Sequence, residues 1–264
     1  MTKEDLQARK LSARYGWDWL KQGFWLFKQS PLLWMVLTAI LVVGSVGISA
    51  IPIVGGSLST LLMPGFFAGL MIASNALAHG EEMELAHLFA GFQKHAVPLI
   101  SLGGINLIGN FLIFGIMMIT GGAELMQIMM SGNLPNDQAV LVDAFTKARF
   151  AFPLGVALSI ALQLITLFAA MLAVFRNVAP VTALKAGVGA CADNVLPLIV
   201  YGLVQIPFAI LASIPMMLGW LVLLPILIAS MYAVYRDMFP MESDLATMSD
   251  HGEDYSQSSP PPEA

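Results

Sequence analysis

Residues 29–78 read QSPLLWMVLTAILVVGSVGISAIPIVGGSLSTLLMPGFFAGLMIASNALA, fifty positions without one Asp, Glu, Lys or Arg. A helix crossing a bilayer core needs about 20 apolar residues, so the stretch is too long for one span and right for two. Pro52 to Gly56 supply the turn between them, since Pro and Gly punctuate apolar runs. Backbone groups in hydrocarbon must bond to one another, which makes helices the form of such segments. The stretch is a transmembrane hairpin, and the rest of the chain is read as repeating or connecting it.

Composition agrees. Of 264 residues 58% are hydrophobic and 11% charged, with a mean hydropathy of +0.78, whereas a soluble domain carries about 25% charged residues. A water-soluble globule is excluded. The net charge of −5, with no cluster of Lys and Arg beyond the N-terminus, points away from nucleic acid as a partner. A single cysteine, Cys191, forbids an intrachain disulfide and reads as a small packing residue.

On the N-terminal side of the hairpin, residues 1–13 are polar and lead into no short apolar core with a small-residue cleavage site, so no signal peptide is expected. Residues 14–29, RYGWDWLKQGFWLFKQ, have a helical period that sets Arg14, Asp18, Lys21 and Lys28 on one narrow face. Trp17, Leu20, Phe24 and Phe27 share another. This predicts an amphipathic interfacial helix, its aromatic residues at headgroup level and its cations against anionic lipid. Arg14, Trp17, Lys21, Phe24 and Lys28 are the candidate lipid-interface residues. Ser30-Pro31 then breaks that helix and opens the first span.

On the C-terminal side, Gly65 and Gly69 form a G-x-x-x-G pair that lets helices approach closely, and internal packing is expected of it rather than dimerisation. HGEEMELAHLFAGFQKHA follows, read as a surface helix with three glutamates in its first turn and with Leu85, Leu88, Phe89 and Phe92 on one side. His79, Glu81, Glu84, His87 and His95 include one i, i+3 pair, Glu84 and His87. A metal needs three or four converging donors, so a solvated surface helix is the reading and no metal or other cofactor is expected. Residues 96–123 form the third span, in which Asn106 and Asn110 share a face and are expected to hydrogen-bond a neighbouring helix. Residues 124–149 form a polar connection with a second amphipathic run from Gln138, and residues 150–175 form the fourth span. After the surface segment RNVAPVTALKAGVGACADN, residues 194–235 run forty-two positions without a charge and provide two more spans, turning near Pro215 to Gly219.

The fold class that results is an all-α integral membrane protein with six transmembrane helices in three hairpin-like repeats, each preceded by a short interfacial amphipathic helix. Pro31, Pro98 and Pro197 mark the equivalent entry points. Residues 1–30 form the N-terminal segment, 31–235 the six-span domain, and 236–264 an acidic tail too poor in apolar residues to fold alone. With the N-terminus inside, the inner segments carry ten cations and the outer ones only Lys147 and Arg149, so both termini are expected in the cytoplasm.

The patterns GWDWLKQGFWLFKQSPLLW and GEEMELAHLFAGFQKH resemble those of a group of uncharacterised proteobacterial inner-membrane proteins, distantly like the YciC type. The resemblance covers residues 14 to about 236 and implies a bacterial inner-membrane location and a six-span fold, with no chemistry attached. The residues themselves show no G-x-S-x-G, no H-E-x-x-H and no phosphate-binding glycine loop, so an enzyme is not expected. The preferred reading is a non-catalytic protein that organises or binds lipids and partner proteins. A transporter of small molecules or lipids is the alternative, suggested by the repeats and by Pro64, Pro207 and Pro225 inside spans. Against it, the spans lack the buried ionisable residue that ion-coupled carriers use.

Overall fold

A computed structural model describes residues 6–132, 135 and 137–240. The acidic segment from residue 241 to 264, expected as a disordered tail, lies outside the described residues. The chain runs α1 (Tyr15–Gln29), α2 (Pro31–Ser49), α3 (Gly55–Ala78), α4 (His87–Met117), a π-helical turn (Met118–Gly122), α5 (Ala123–Ser131), α6 (Gln138–Lys147), α7 (Ala151–Arg176), α8 (Pro180–Asp193), α9 (Val195–Ser213) and α10 (Trp220–Met238). The described residues contain no strand. Among the described residues, six helices are long and apolar enough to cross a membrane: α2, α3, α4 with its continuation into α5, α7, α9 and α10. Both expected hairpins are present, turning at residues 50–54 and 214–219.

The spans divide into two sets. α3, α7 and α10 bury 39–67% of their most apolar stretch, and α2, α4 and α9 only 17–22%. An inner set of three helices is thus flanked by an outer set whose exposed Val, Ile, Leu and Phe side chains are left to lipid. The short helices join the inner spans: α1 packs on α10, the first turns of α4 on α3, and α8 on α7.

Glycine makes these approaches close. A Cβ on Gly69 would stand 2.4 Å from the carbonyl oxygen of His87, and one on Gly91 would stand 2.4 Å from that of Gly65. The G-x-x-x-G pair therefore seats α3 on α4 within the chain. On α1, a Cβ on Gly23 would lie 2.5 Å from the Ile226 carbonyl oxygen, and one on Gly16 would lie 2.7 Å from the Tyr201 backbone nitrogen. Backbones this near leave no room for a side chain.

Each short helix meets its span at a single non-helical residue: Ser30 (φ −148°, ψ 64°), His95 (φ −127°, ψ 24°) and Asn194 (φ −121°, ψ 30°). Proline explains two of them. Pro98 and Pro197 offer no N–H to the carbonyl four residues back, at Lys94 and Asp193, so the helix breaks just after those residues.

Two boundaries differ from the sequence expectation. Glu81, Glu82 and Glu84 precede α4 instead of forming its first turn. The reason is local: Gly80 at φ 77° closes α3 with Glu81 N–H donating to the Ala76 carbonyl, and the Glu84 N–H then donates to His87 Nδ1 at 2.9 Å. Leu85 consequently lies outside the helix, and only Leu88 of the expected apolar face is buried. The regular α-helix of the third span ends at Met117, six residues before the expected end of the span, because a π-turn with Gly121 at φ 103° kinks it before it continues as α5. Past residue 235, α10 continues to Met238 and Phe239 is buried.

Candidate functional site

The inner spans touch at one end of the bundle and part at the other. At the end that holds residues 6–14 and Phe239, Phe175 stacks on Tyr235 at 5.6 Å, Tyr235 sits 5.6 Å from Phe239, and Phe168 lies edge-on to Phe239. The Tyr232 hydroxyl donates to Asn75 Oδ1 at 2.8 Å and ties α10 to α3. The N-terminal strand of coil is sewn to this end by Asn194, a fully buried residue. Its Oδ1 accepts from Leu11 N at 2.9 Å and its Nδ2 donates to the Arg9 carbonyl at 3.0 Å. Arg9 N donates in turn to the Met238 carbonyl at 2.8 Å.

Towards the opposite end the helices separate around a cavity of about 600 Å³. Its lining runs from Ser49 of α2 with Gly56 and Ser59 of α3 to Phe67 of α3. Gly56 and Phe67 are eleven residues apart on one helix, about 16 Å at 1.5 Å per residue, so the cavity reaches roughly half-way through a bilayer core. The polar lining is formed by Asn106 and Asn110 of α4, Gln163 and Thr166 of α7 and Gln205 of α9, and the apolar lining includes Met63 of α3 and Leu224, Leu227, Ile228 and Met231 of α10. No Asp, Glu, Lys, Arg or His is among the residues that line it.

The polar wall is a short amide chain. Asn106 Nδ2 donates to Gln163 Oε1 and to Thr166 Oγ1, both at 3.1 Å, linking α4 to α7. Asn110 Nδ2 donates to Asn106 Oδ1 at 2.7 Å and to the Asn106 carbonyl at 2.8 Å. The two asparagines therefore differ. Asn106 is buried and joins two spans, whereas Asn110 bonds only within its own helix and turns towards the cavity. Gln163 and Gln205 were not singled out from the sequence, though each is an isolated amide in an otherwise apolar run.

The lipid-interface candidates lie elsewhere, on α1. Gly16, Trp19, Leu20, Gly23, Leu26 and Phe27 are buried against the bundle. Leu20 and Phe27, expected on the apolar face turned to the membrane, belong to the protein core because Gly16 and Gly23 lie beside them on the wheel and set that side of the helix against α9 and α10. Trp17 and Phe24 are half-exposed, and Trp25 joins them outside. Trp17 stacks on Phe208 at 6.3 Å and Lys28 lies 5.1 Å over the Phe24 ring. Asp18 is held by Lys21 at 2.6 Å and Arg14 at 3.6 Å. The buried Trp19 Nε1 donates to Asp237 Oδ2 at 3.0 Å, and Arg236 donates to Gln22 Oε1 at 2.6 Å, so α1 is bolted to α10 by polar as well as apolar contacts.

Among the described residues no three of His, Cys, Asp and Glu gather as metal ligands. Glu84 and His87 meet through a backbone N–H, as described, and not as paired donors. Cys191 on α8 is partly buried, and desolvation pushes its thiol up to about 11. Such a thiol stays protonated and behaves as a packing group.

The chain is 28% identical over 260 residues to a protein of Burkholderia thailandensis described as a probable inner membrane protein, an alignment taking in 90% of this chain and 95% of that relative. No family model matches the chain. No solved structure matches it.

Proposed function

We propose that this chain is a non-catalytic, six-span inner-membrane protein that binds anionic lipid through the outer stripe of α1 and organises lipids and partner proteins around it, both termini facing the cytoplasm. The single observation that carries the reading is the division of α1. Its glycine face is locked to α9 and α10, so Arg14, Lys21 and Lys28 are presented on a fixed edge beside Trp17 and Phe24. A helix so held presents its cations at a set depth, and each cation near an anionic leaflet contributes about 1 kcal/mol. With Asp18 offsetting one of the three, the stripe supplies about 2 kcal/mol, roughly a thirtyfold preference at low salt.

The inner-membrane placement is supported by the Burkholderia thailandensis relative and by the six apolar helices. The YciC-type likeness points the same way. The threefold repeat is supported by the common order of short helix, outer span and inner span, and by the three breaks at Ser30, His95 and Asn194. The cytoplasmic orientation rests on the ten-to-two cation count. A phosphatase fused after Gly132 is expected active and one fused at the C-terminus inactive; the reverse overturns the orientation.

The lipid reading is tested on the full chain in nanodiscs of mixed phosphatidylglycerol and phosphatidylcholine, with retained lipid identified by native mass spectrometry. Enrichment of phosphatidylglycerol should disappear in the triple variant R14Q/K21Q/K28Q, increase in D18N, and weaken with added salt. Equal retention of both lipids by the unaltered chain overturns the proposal and leaves α1 a structural brace. The second reading, a permease, is favoured by the uncharged polar cavity, and net flux of a solute across proteoliposomes would establish it.

A further inference from the structure

We infer that the cavity between the inner spans is a binding site for an uncharged, hydroxyl-bearing head of an amphiphile, such as a glycerol or sugar lipid, entered from the end of Ser49 and Gly56. This inference is independent of lipid recognition by α1, and it requires binding only, not transport.

The argument begins with hydrogen-bonding capacity that the protein leaves unused. Asn106 has both amide hydrogens engaged, on Gln163 and Thr166, and its Oδ1 accepts from Asn110. Around it, among the described residues, the Gln163 Nε2, the Asn110 Oδ1, the Ser59 hydroxyl and the whole Gln205 amide have no protein partner, and all four residues line the cavity. Pro64 adds an acceptor, for it has no N–H to give the Thr60 carbonyl four residues back, and both residues are in the wall. Polar groups held at membrane depth are costly unless they are bonded, so this set calls for a guest that both donates and accepts.

Charge decides the class of guest. No ionisable side chain lines the cavity, and a phosphate or ammonium drawn to mid-membrane with no counter-charge is strongly disfavoured. Hydroxyl and amide groups fit, because each supplies a donor and an acceptor without a charge. Shape decides the rest. A volume of about 600 Å³ lies within the roughly 300–1,000 Å³ of small-molecule sites. The apolar wall comes from α3 and α10, with Met63, Leu227, Ile228 and Met231. A polar head against α4, α7 and α9 with the start of a hydrocarbon chain against α10 satisfies both walls, which a free polar solute does not.

The experiment uses the full chain in phosphatidylcholine nanodiscs doped with monoglucosyl diacylglycerol, diacylglycerol or phosphatidylglycerol, with retained lipid read by native mass spectrometry. The uncharged glucosyl lipid and diacylglycerol are expected to be retained. The Gln205→Leu variant, which breaks no bond within the protein, should keep its melting temperature and lose about fivefold to tenfold in retention of the glucosyl lipid. Gln163→Leu should lose as much, while R14Q/K21Q/K28Q should leave it unchanged, which separates this site from α1. Competition by free methyl glucoside would assign the hydroxyl-bearing guest to a soluble source, and its failure to compete would assign it to lipid. Retention of the glucosyl lipid unaltered by both Gln205→Leu and Gln163→Leu overturns the inference, as does preferential loss of phosphatidylglycerol from those variants.

Discussion

The two ends of the bundle are built from the same apolar helices and solve packing in opposite ways. At the end with residues 6–14 and Phe239, three short helices wedge in through glycine, four aromatic rings close the centre, and Asn194 spends its side chain on three carbonyl and amide partners. At the far end, the spans diverge around amides that are only partly paired, and the connecting turn carries Met216 and Met217 at positive φ with both side chains exposed. Lipid supplies no hydrophobic drive between helices, so association depends on fit and hydrogen bonds. Where fit is complete the end is a clasp, and where it is left open the end is a receptacle.

The largest expected effect comes from forcing the clasp apart. Gly69→Val should cost about 3 kcal/mol or more, since the new side chain meets backbone at His87 and Leu88 with nothing flexible to yield. Gly44→Val, at an exposed position of α2 with nothing within 4 Å of its Cβ, should melt close to the unaltered chain. Equal losses in the two variants, measured by thermal melting in detergent, would show that the difference between the clasp and the lipid-facing surface is mistaken.

Next is Asn194→Ala. Removing the side chain strands the Leu11 N–H and the Arg9 carbonyl, at about 2 kcal/mol, and should make residues 6–14 cleavable by protease well below the melting temperature. Persistent protection of that segment would show that its hold comes from apolar contacts alone.

The receptacle end should respond more weakly. Asn106→Leu removes two bonds between α4 and α7, about 1 kcal/mol at roughly 0.6 kcal/mol for each membrane hydrogen bond. Asn110→Leu removes bonds made only within α4 and should leave the melting temperature nearly unchanged. A larger loss from Asn110 than from Asn106 would reverse their assigned roles.

The smallest effect belongs to the surface of the far end, where Lys147 binds Glu124 at 2.7 Å and Asp143 at 2.8 Å. Hydrogen bonds to Asp143 and then Glu124 push its ammonium up to about 12 from an ordinary 10.5. A raised lysine favours the folded form below pH 10.5, and its contribution fades as pH climbs through 12. Lys147→Met should therefore lie close to the unaltered chain at neutral pH, because the pair is exposed and screened. Hydrogen exchange of α5 and α6 should show the two converging fully above pH 12, and a gap that widened with pH would overturn this sign.

Fifty uncharged residues from Gln29 to Ala78 and forty-two from Asn194 to Tyr235 determine two hairpins by themselves, because hydrocarbon admits only internally bonded helices of a set length. Pro98 and Pro197 likewise mark where a short helix yields to a long apolar one, a local steric effect that needs no partner. Gly65 and Gly69 announce a close approach, yet only the fold names α4 as the helix approached. The same limit applies to α1, whose period reveals an apolar face but not that Leu20 and Phe27 face protein while Trp17 and Phe24 face outward. Apolar side chains look alike to lipid and to another helix, so periodicity cannot choose between them. Gln163 and Gln205 are legible only as lone amides in apolar runs. Their meeting with Asn106 and Asn110 around one cavity joins residues up to 99 positions apart, and only the tertiary arrangement, which fixes how α4, α7 and α9 lean apart, brings them together.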